Sequence, residues 1–548
     1  MRNFGKITIG QLVDLMAKEN TETEALVYPD LELRYTYEKF QQVCNRTAKG
    51  LMKLGVQREE HIAIWATNIP QWVITQFGSA KMGAVLVPIN TSYRVFELEY
   101  LLKQSDTTTL ILMEGAKYVS IIYALCPELY DCSPGELKSK RLPFLKNVIL
   151  IGKRRHPGMF LWDDLMQMGC ETTDAQLVLR QSSLNPNDVV NMQYTSGTTG
   201  FSKGVMLTHY NLIGNACSLS ECMGLTNKDR LCIPVPFFHC FGCVLGTMTC
   251  MAAGATMVPL VVFDPVKVLE TIEKECCTAV HGVPTMFIME LEEMMKKEYD
   301  TSSLRTGIMA GSPCPIEVMR EVVNKMGMRE ITITYGQTEA SPGITMTRSD
   351  DSLEVRVSTV GRALPNVEVK IIHPETGREN PRGVQGELCS RGYNIMKGYY
   401  KMPSTTAKVI DHDGWLHTGD LAVMDDNGYC KIMGRLKDTI IRGGENIYPR
   451  EIEEFLYTHP KIKDVQVVGV PSNKYGEEIM AFIQLKHGEI FTIKEIRAYC
   501  RGKISHYKIP KYIEMVATYP TTASGKIQKY KLRELALKLV GFHKTTKS

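Results

Sequence analysis

The chain has no long apolar run at its start: "MRNFGKITIGQLVDLMAKEN" lacks the hydrophobic stretch of a signal peptide. It also lacks an excess of charge of one sign. The 64 Lys+Arg and 60 Asp+Glu leave a formal net charge of +4 over 548 residues, which gives no support for a nucleic-acid partner. The 16 cysteines show no repeating spacing. The C-x-x-C at Cys240 and Cys243 has no second pair to complete a zinc site, so it reads as buried, reduced thiol. Leu231 to Phe263 contains no Asp, Glu, Lys or Arg, but Pro234, Pro236 and Pro259 interrupt it. A bilayer span needs about 20 mostly apolar residues in one helix. The segment therefore predicts a strand, a loop at "PFFHCFG", a buried helix and another strand. The expectation is a cytoplasmic protein with no transmembrane segment.

What is present points to an α/β fold. A chain of 548 residues exceeds what one hydrophobic core organises, so two or more domains are expected. "HIAIW", "AVLVPIN", "TTTLILM" and "NVILIG" read as strands, with "IPQWVITQFGSAKMG" and "EYLLKQSD" as helices between them. The alternation resumes with "CTAVHGVP" and "ITITYG", and it predicts largely parallel sheets covered by helices. After about residue 360, "VEVKII" and "GELCSRG" flank a turn-rich loop, which predicts antiparallel pairing. A connection at "GRLKD" leads to about 110 residues that read strand, helix, strand, strand, helix, strand, helix. The boundaries drawn are 1–436 and 437–548. The last 28 residues hold seven Lys or Arg and one Glu, taken as a solvated helix face in preference to a phosphate patch.

The least ordinary segment is "YTSGTTGFSKGVMLTH". Thr195, Ser196, Gly197, Thr198, Thr199, Gly200, Phe201, Ser202 and Lys203 form a loop of small and hydroxyl residues ending in a lysine. Unhindered N–H groups and hydroxyls converge readily on phosphate oxygens, and the ammonium adds charge. The preceding "VVNMQYT" reads as a strand, and α/β proteins bind ligands at strand ends. Gly204 follows Lys203, so the Walker A pattern, with its magnesium-binding hydroxyl, does not apply.

The loop resembles the phosphate loop of the acyl-adenylate-forming enzymes. "YGQTEASP", "VGRALP", "GELCSRG", "GWLHTGDLA", "GRLKDTIIRGGENIYPREIE" and "TTASGKIQK" match further family motifs in order and span nearly the whole chain. The resemblance is strongest to fatty-acyl-CoA synthetases of the medium-chain kind. It implies a large N-terminal domain of stacked αβαβα layers plus a small β-barrel, then a small mobile α+β domain. It also implies a two-step reaction. A carboxylate attacks the α-phosphate of ATP, and the thiol of coenzyme A then displaces AMP.

By the same resemblance, Lys526 is the catalytic lysine, Thr338 donates to the α-phosphate and Glu339 ligates Mg2+. Gly336, Gln337 and Thr338 line the nucleotide site, Asp420 accepts from the ribose hydroxyls, and Arg435 reaches ribose or phosphate. Gly443 and Gly444 line the coenzyme A tunnel or form a hairpin turn alone, and Lys437 is the hinge.

The acyl pocket is assigned to His239, Phe241, Gly311, Ser312 and Gly336. Peptide-synthetase domains place an Asp in the segment that reads "PFFHCFG" here, and no carboxylate stands there to pair an amino-acid ammonium. His239 reads as a gate or wall of the pocket, or as a packed core histidine. Acetate-specific relatives carry a tryptophan where Gly336 stands, so a longer acyl chain is expected. A medium-chain fatty acid is the favoured substrate. An aromatic acid, a carrier-protein acceptor, an oxidative outcome and a non-catalytic nucleotide-binding protein are the alternatives. Small molecules are the expected partners, nucleic acid is not, and homodimerisation is left open.

Overall fold

The computed structural model describes residues 6–195, 202–312, 314–443, 445–472, 474–522 and 525–541. The strands His61–Trp65, Val85–Pro88, Thr107–Met113 and Asn147–Ile151 are near-continuous apolar runs, as expected for parallel strands with helices on both faces. They pair in parallel within a sheet of eight described strands, which Val189–Thr195, Lys203–Thr208 and Gly398–Tyr399 extend at one end. A second sheet has nine described strands. Its parallel centre runs Glu330–Gly336, Thr306–Met309, Ala279–Gly282, Arg230–Ile233, Thr256–Pro259, Glu24–Tyr28, and antiparallel strands cap both edges.

One continuous apolar cluster joins the sheets. Ile62, Ile64 and Leu86 from the first, and Leu231, Met257 and Ile308 from the second, share it with Phe40, Trp72, Phe77 and Leu212 from helices. Helix Pro70–Met82 shows why such helices form here: proline opens it, and every residue but Gln71 is buried. The charge-free segment follows its expected order with one addition. Between strands Arg230–Ile233 and Thr256–Pro259, the helix begins as a π-helix, Phe241–Met248. Gly242 permits this, since a Cβ there would lie 2.3 Å from the Pro236 carbonyl. π-Turns concentrate at functional sites.

Among the described residues no helix is long and apolar enough to cross a membrane. The strands expected as a small barrel form a four-stranded antiparallel sheet whose hydrogen-bonded order is open: Val367–Ile372, Gly386–Gly392, Leu416–Met424, Cys430–Arg435. From Ile440 onward the order is hairpin, helix, two long strands, helix, strand, helix. These residues bury two apolar clusters of their own, one around Ile440, Val465 and Phe491, the other around Val468, Phe482 and Leu532.

Candidate active site

The Gly/Ser/Thr loop closes a hairpin. Thr195 faces Lys203 across the antiparallel strands Val189–Thr195 and Lys203–Thr208, so no helix start stands behind it. Ser196 to Phe201 lie outside the described residues. At the loop's end the Lys203 ammonium sits 4.7 Å from the centre of the Tyr399 ring, a cation–π contact. Tyr399 belongs to the two-residue strand Gly398–Tyr399, which pairs on the outer side of Lys203–Thr208. Its hydroxyl donates to Glu339 Oε1 at 2.7 Å. Burial first, and the Glu339 carboxylate second, push the Tyr399 phenol upward, so it stays protonated as a donor.

Glu339 stands in the short turn Thr338–Ala340, fixed further by the Met396 N–H on its carbonyl. Its other carboxylate oxygen has no hydrogen-bond partner among the described residues. One carboxylate oxygen beside a phosphate loop suits Mg2+, which takes few protein ligands and completes its shell with water and phosphate. Tyr399→Phe is expected to raise the Mg2+ concentration needed for half-maximal pyrophosphate release by about tenfold. A hydrogen bond to a charged group contributes about 1.5–3 kcal/mol. An unchanged Mg2+ titration at fixed ATP would exclude this link.

Asp420 and Arg435 face each other directly across strands Leu416–Met424 and Cys430–Arg435. The Arg435 Nε donates to Asp420 Oδ1 at 3.0 Å, and the Tyr335 hydroxyl donates to Oδ2 at 2.7 Å. Asp420 is 5% exposed, so its anion rests on these two donors. Burial works against the Arg435 charge, but the Asp420 carboxylate outweighs it and the guanidinium is held above its ordinary range. Burial and then the Asp420 charge push the Tyr335 phenol well up.

Lys526 joins this group from the last part of the chain. Its ammonium lies near Arg435, Asp420, Lys437 and Cys240. The residue remains open to water although protein surrounds its head group, as do Arg435 and Lys437. Burial lowers the Lys526 pKa, and the Arg435 charge lowers it further. The turn before it packs on the large part of the chain: a Cβ on Gly525 would meet Val283 Cγ2 at 3.0 Å. Lys463 to Glu292, at 2.5 Å, and Arg450 to the Ile432 carbonyl, at 3.0 Å, tie the same two parts together.

His239 adjoins Lys526. Its Nδ1 accepts the Phe241 N–H at 3.1 Å, so the ring proton sits on Nε2. Burial, then the Lys526 charge, lower its pKa to about 4, leaving a neutral donor at neutral pH. Thr338 is buried, with its hydroxyl 3.6 Å from Cys240 Sγ. Gln337 donates its N–H to the Pro342 carbonyl at 2.9 Å.

Phe241 and Gly311 approach each other, and Val283 stands beside Gly311. Phe241 also packs on His281, with ring centres 5.8 Å apart. Ser312 follows Gly311, partly exposed. At Gly336 a Cβ would lie 1.8 Å from the Pro342 carbonyl, at a bulge between Tyr335 and Gly336, so a larger residue there requires the backbone to shift. Gly443, with φ +60, is a hairpin turn whose N–H donates to the Tyr475 carbonyl. A Cβ on it would meet only Tyr475. Gly444 lies outside the described residues. The structure thus links Lys203 to Glu339 through Tyr399, and sets Lys526 near the Asp420–Arg435 pair, with Gly443 on a separate turn. Sequence reasoning gave no role to Tyr399, Tyr335 or Val283, although Tyr335 opens the quoted motif "YGQTEASP".

A parallel-rich α/β body followed by a small C-terminal part is an architecture shared with solved adenylating enzymes. The chain belongs to the AMP-binding enzyme family: residues 14–400 match the AMP-binding enzyme model and residues 451–526 its C-terminal domain model. YngI of Bacillus subtilis, named as an acyl-CoA synthetase, is 59% identical over 535 residues, 97% of each chain. The human mitochondrial medium-chain acyl-CoA ligase ACSF2 is 42% identical over 542 residues, covering 97% of this chain and 88% of that protein. The solved anthranilate CoA ligase AuaEII with anthranoyl-AMP superposes with a TM-score of 0.87 at 26% identity, covering 97% and 98% of the two chains.

Proposed function

We propose that the protein ligates a medium-chain carboxylic acid to coenzyme A through an acyl-adenylate, releasing AMP and pyrophosphate. The observation that supports this reading is the Arg435–Asp420 pair, with Lys526 and His239 near enough to feel one another's charge beside it. The first half-reaction brings a carboxylate against a phosphate, two anions, so it needs positive charge and donors already in place. Lys526 spans the acid carboxylate and the α-phosphate. Lys203 and the loop before it hold the outer phosphates, Thr338 donates to the α-phosphate, and Asp420 accepts from the ribose. Glu339 would hold Mg2+, which when bound neutralises phosphate charge. The neutral His239 presents its Nε2–H without adding a second positive charge beside Lys526. Phe241, Gly311 and Val283 give the tail an apolar wall.

Residues 437–548 act as the mobile domain. Turning about Lys437, they exchange Lys526 for the Gly443–Gly444 turn, past which the thiol arm runs to the adenylate. A screen of free acids from two to sixteen carbons, plus benzoate, tests the substrate reading. AMP release that depends on coenzyme A and peaks between about six and twelve carbons is expected. A benzoate optimum would favour the aromatic alternative, and AMP release without coenzyme A would reject a thioester product.

Asp420→Asn is expected to raise the apparent KM for ATP by roughly tenfold to a hundredfold, with the KM for the acid little changed. The amide keeps the shape but loses the charged acceptor, a loss of about 1.5–3 kcal/mol. Equal effects on both substrates would make Asp420 a partner of Arg435 and Tyr335 only.

A further inference from the structure

Glu387, Cys389 and His417 bring a carboxylate oxygen, a sulfur and a ring nitrogen within 4.8 Å of one another. Sheet register creates the cluster. Glu387 and Cys389 are two apart on strand Gly386–Gly392, hence on one face. His417 is the direct cross-strand partner of Cys389. His417 Nδ1 lies 3.0 Å from Glu387 Oε2 and 3.7 Å from Cys389 Sγ.

Those separations match the edges of a zinc tetrahedron. Bond lengths of about 2.0 Å to nitrogen and oxygen and about 2.3 Å to sulfur place N···O at about 3.3 Å and N···S at about 3.5 Å. The outer groups are also of the right kind. Glu387 Oε1 accepts the Gly419 N–H at 2.9 Å, and Asp411 Oδ2 lies 3.7 Å from His417 Nε2, the ring nitrogen left over. Ligating carboxylates are commonly hydrogen-bonded in turn, and ligating histidines commonly turn their second nitrogen to a carboxylate. Cys389 is buried, while the His417 side chain is 32% exposed, which leaves a route from solvent. A Glu–His pair by itself gives no reason for a buried thiol on the same nitrogen.

We propose that Glu387, Cys389 and His417 bind one zinc ion, with water as fourth ligand, and that the ion fixes the turn Thr418–Gly419 that presents Asp420. On binding, a Zn–S bond forms, the S–H bond of Cys389 breaks and its proton passes to solvent. The carboxylate and thiolate together balance the ion's charge.

The test uses the full-length protein freed of metal with a chelator. Co2+ titration is expected to give one ion per chain, with tetrahedral d–d bands and a thiolate-to-cobalt charge-transfer band. One equivalent of Zn2+ should abolish both. Cys389→Ser should lose the charge-transfer band, and His417→Gln should weaken binding at least tenfold. Cys170→Ser, which removes an exposed thiol elsewhere, should change neither. Far-UV circular dichroism checks that each variant is folded, and Cys389→Ala substitutes for a variant that is not. Zn2+ should also slow amide exchange in residues 416–420 of the parent protein. An octahedral spectrum, a spectrum unaltered in both Cys389 variants, or unchanged exchange at 416–420 would overturn the proposal.

Discussion

Lys526→Ala is expected to reduce acyl-adenylate formation by at least a hundredfold while leaving thioester formation from supplied adenylate within a few-fold of the parent. The Lys526 ammonium, from the C-terminal part, lies near the Asp420–Arg435 pair. Loss of one preorganised donor to developing charge typically reduces rate by about 10²–10³-fold. Gly443, assigned to the second half-reaction, stands on a different turn that touches Tyr475 and not Lys526. Pyrophosphate release reads the first half and acyl-CoA formation from synthetic adenylate the second. Equal damage to both would mean that Lys526 is not confined to one arrangement, and the rotation about Lys437 would fall with it. Lys526→Arg should not restore the first half, because a planar guanidinium does not replace a compact ammonium between two oxyanions.

Glu290→Gln should flatten the dependence of stability on pH. Glu290 lies on helix Pro284–Met294 with 0% exposure, and neither of its carboxylate oxygens has a partner among the described residues. Burial raises its pKa from 4.5 to about 8. The unfolded chain releases this proton above about pH 4.5, whereas the folded protein holds it until about pH 8. Folding therefore loses stability steadily across that window and levels off beyond it, by about 5 kcal/mol in total. Glutamine is neutral throughout. The variant should match the parent at pH 5 and exceed it at pH 8, read by urea unfolding at both. Parallel pH slopes for the two proteins would show that Glu290 carries no proton in the folded state.

The fold was legible where local pattern and global structure agree. Continuous apolar runs announced the buried parallel strands, and the order of elements after Ile440 follows the reading from "GRLKD" onward. The family was legible wherever a motif is contiguous, as around Lys203, Thr338 and Asp420. What escaped depends on pairing between distant segments. Tyr399 reaches Glu339 because its two-residue strand adds to Lys203–Thr208, and nothing near residue 399 signals that. Cys389 meets His417 through strand register, so a search for paired cysteines passed over it. The close approach of the Pro342 carbonyl to Gly336 likewise depends on pairing that the local segment does not announce.

Arg435, Lys437 and Lys526 lie near one another, and each of the two lysines has its pKa lowered, first by burial and then by the Arg435 charge, with Asp420 opposing the effect. On the proposed function, a bound triphosphate would turn that repulsion into attraction, an electrostatic clasp between the C-terminal part and the large one. Pyrophosphate would carry most of the negative charge away when it leaves, and so unfasten the clasp that its parent nucleotide closed. On the proposed rotation, the first half-reaction sets the moment at which the second can begin.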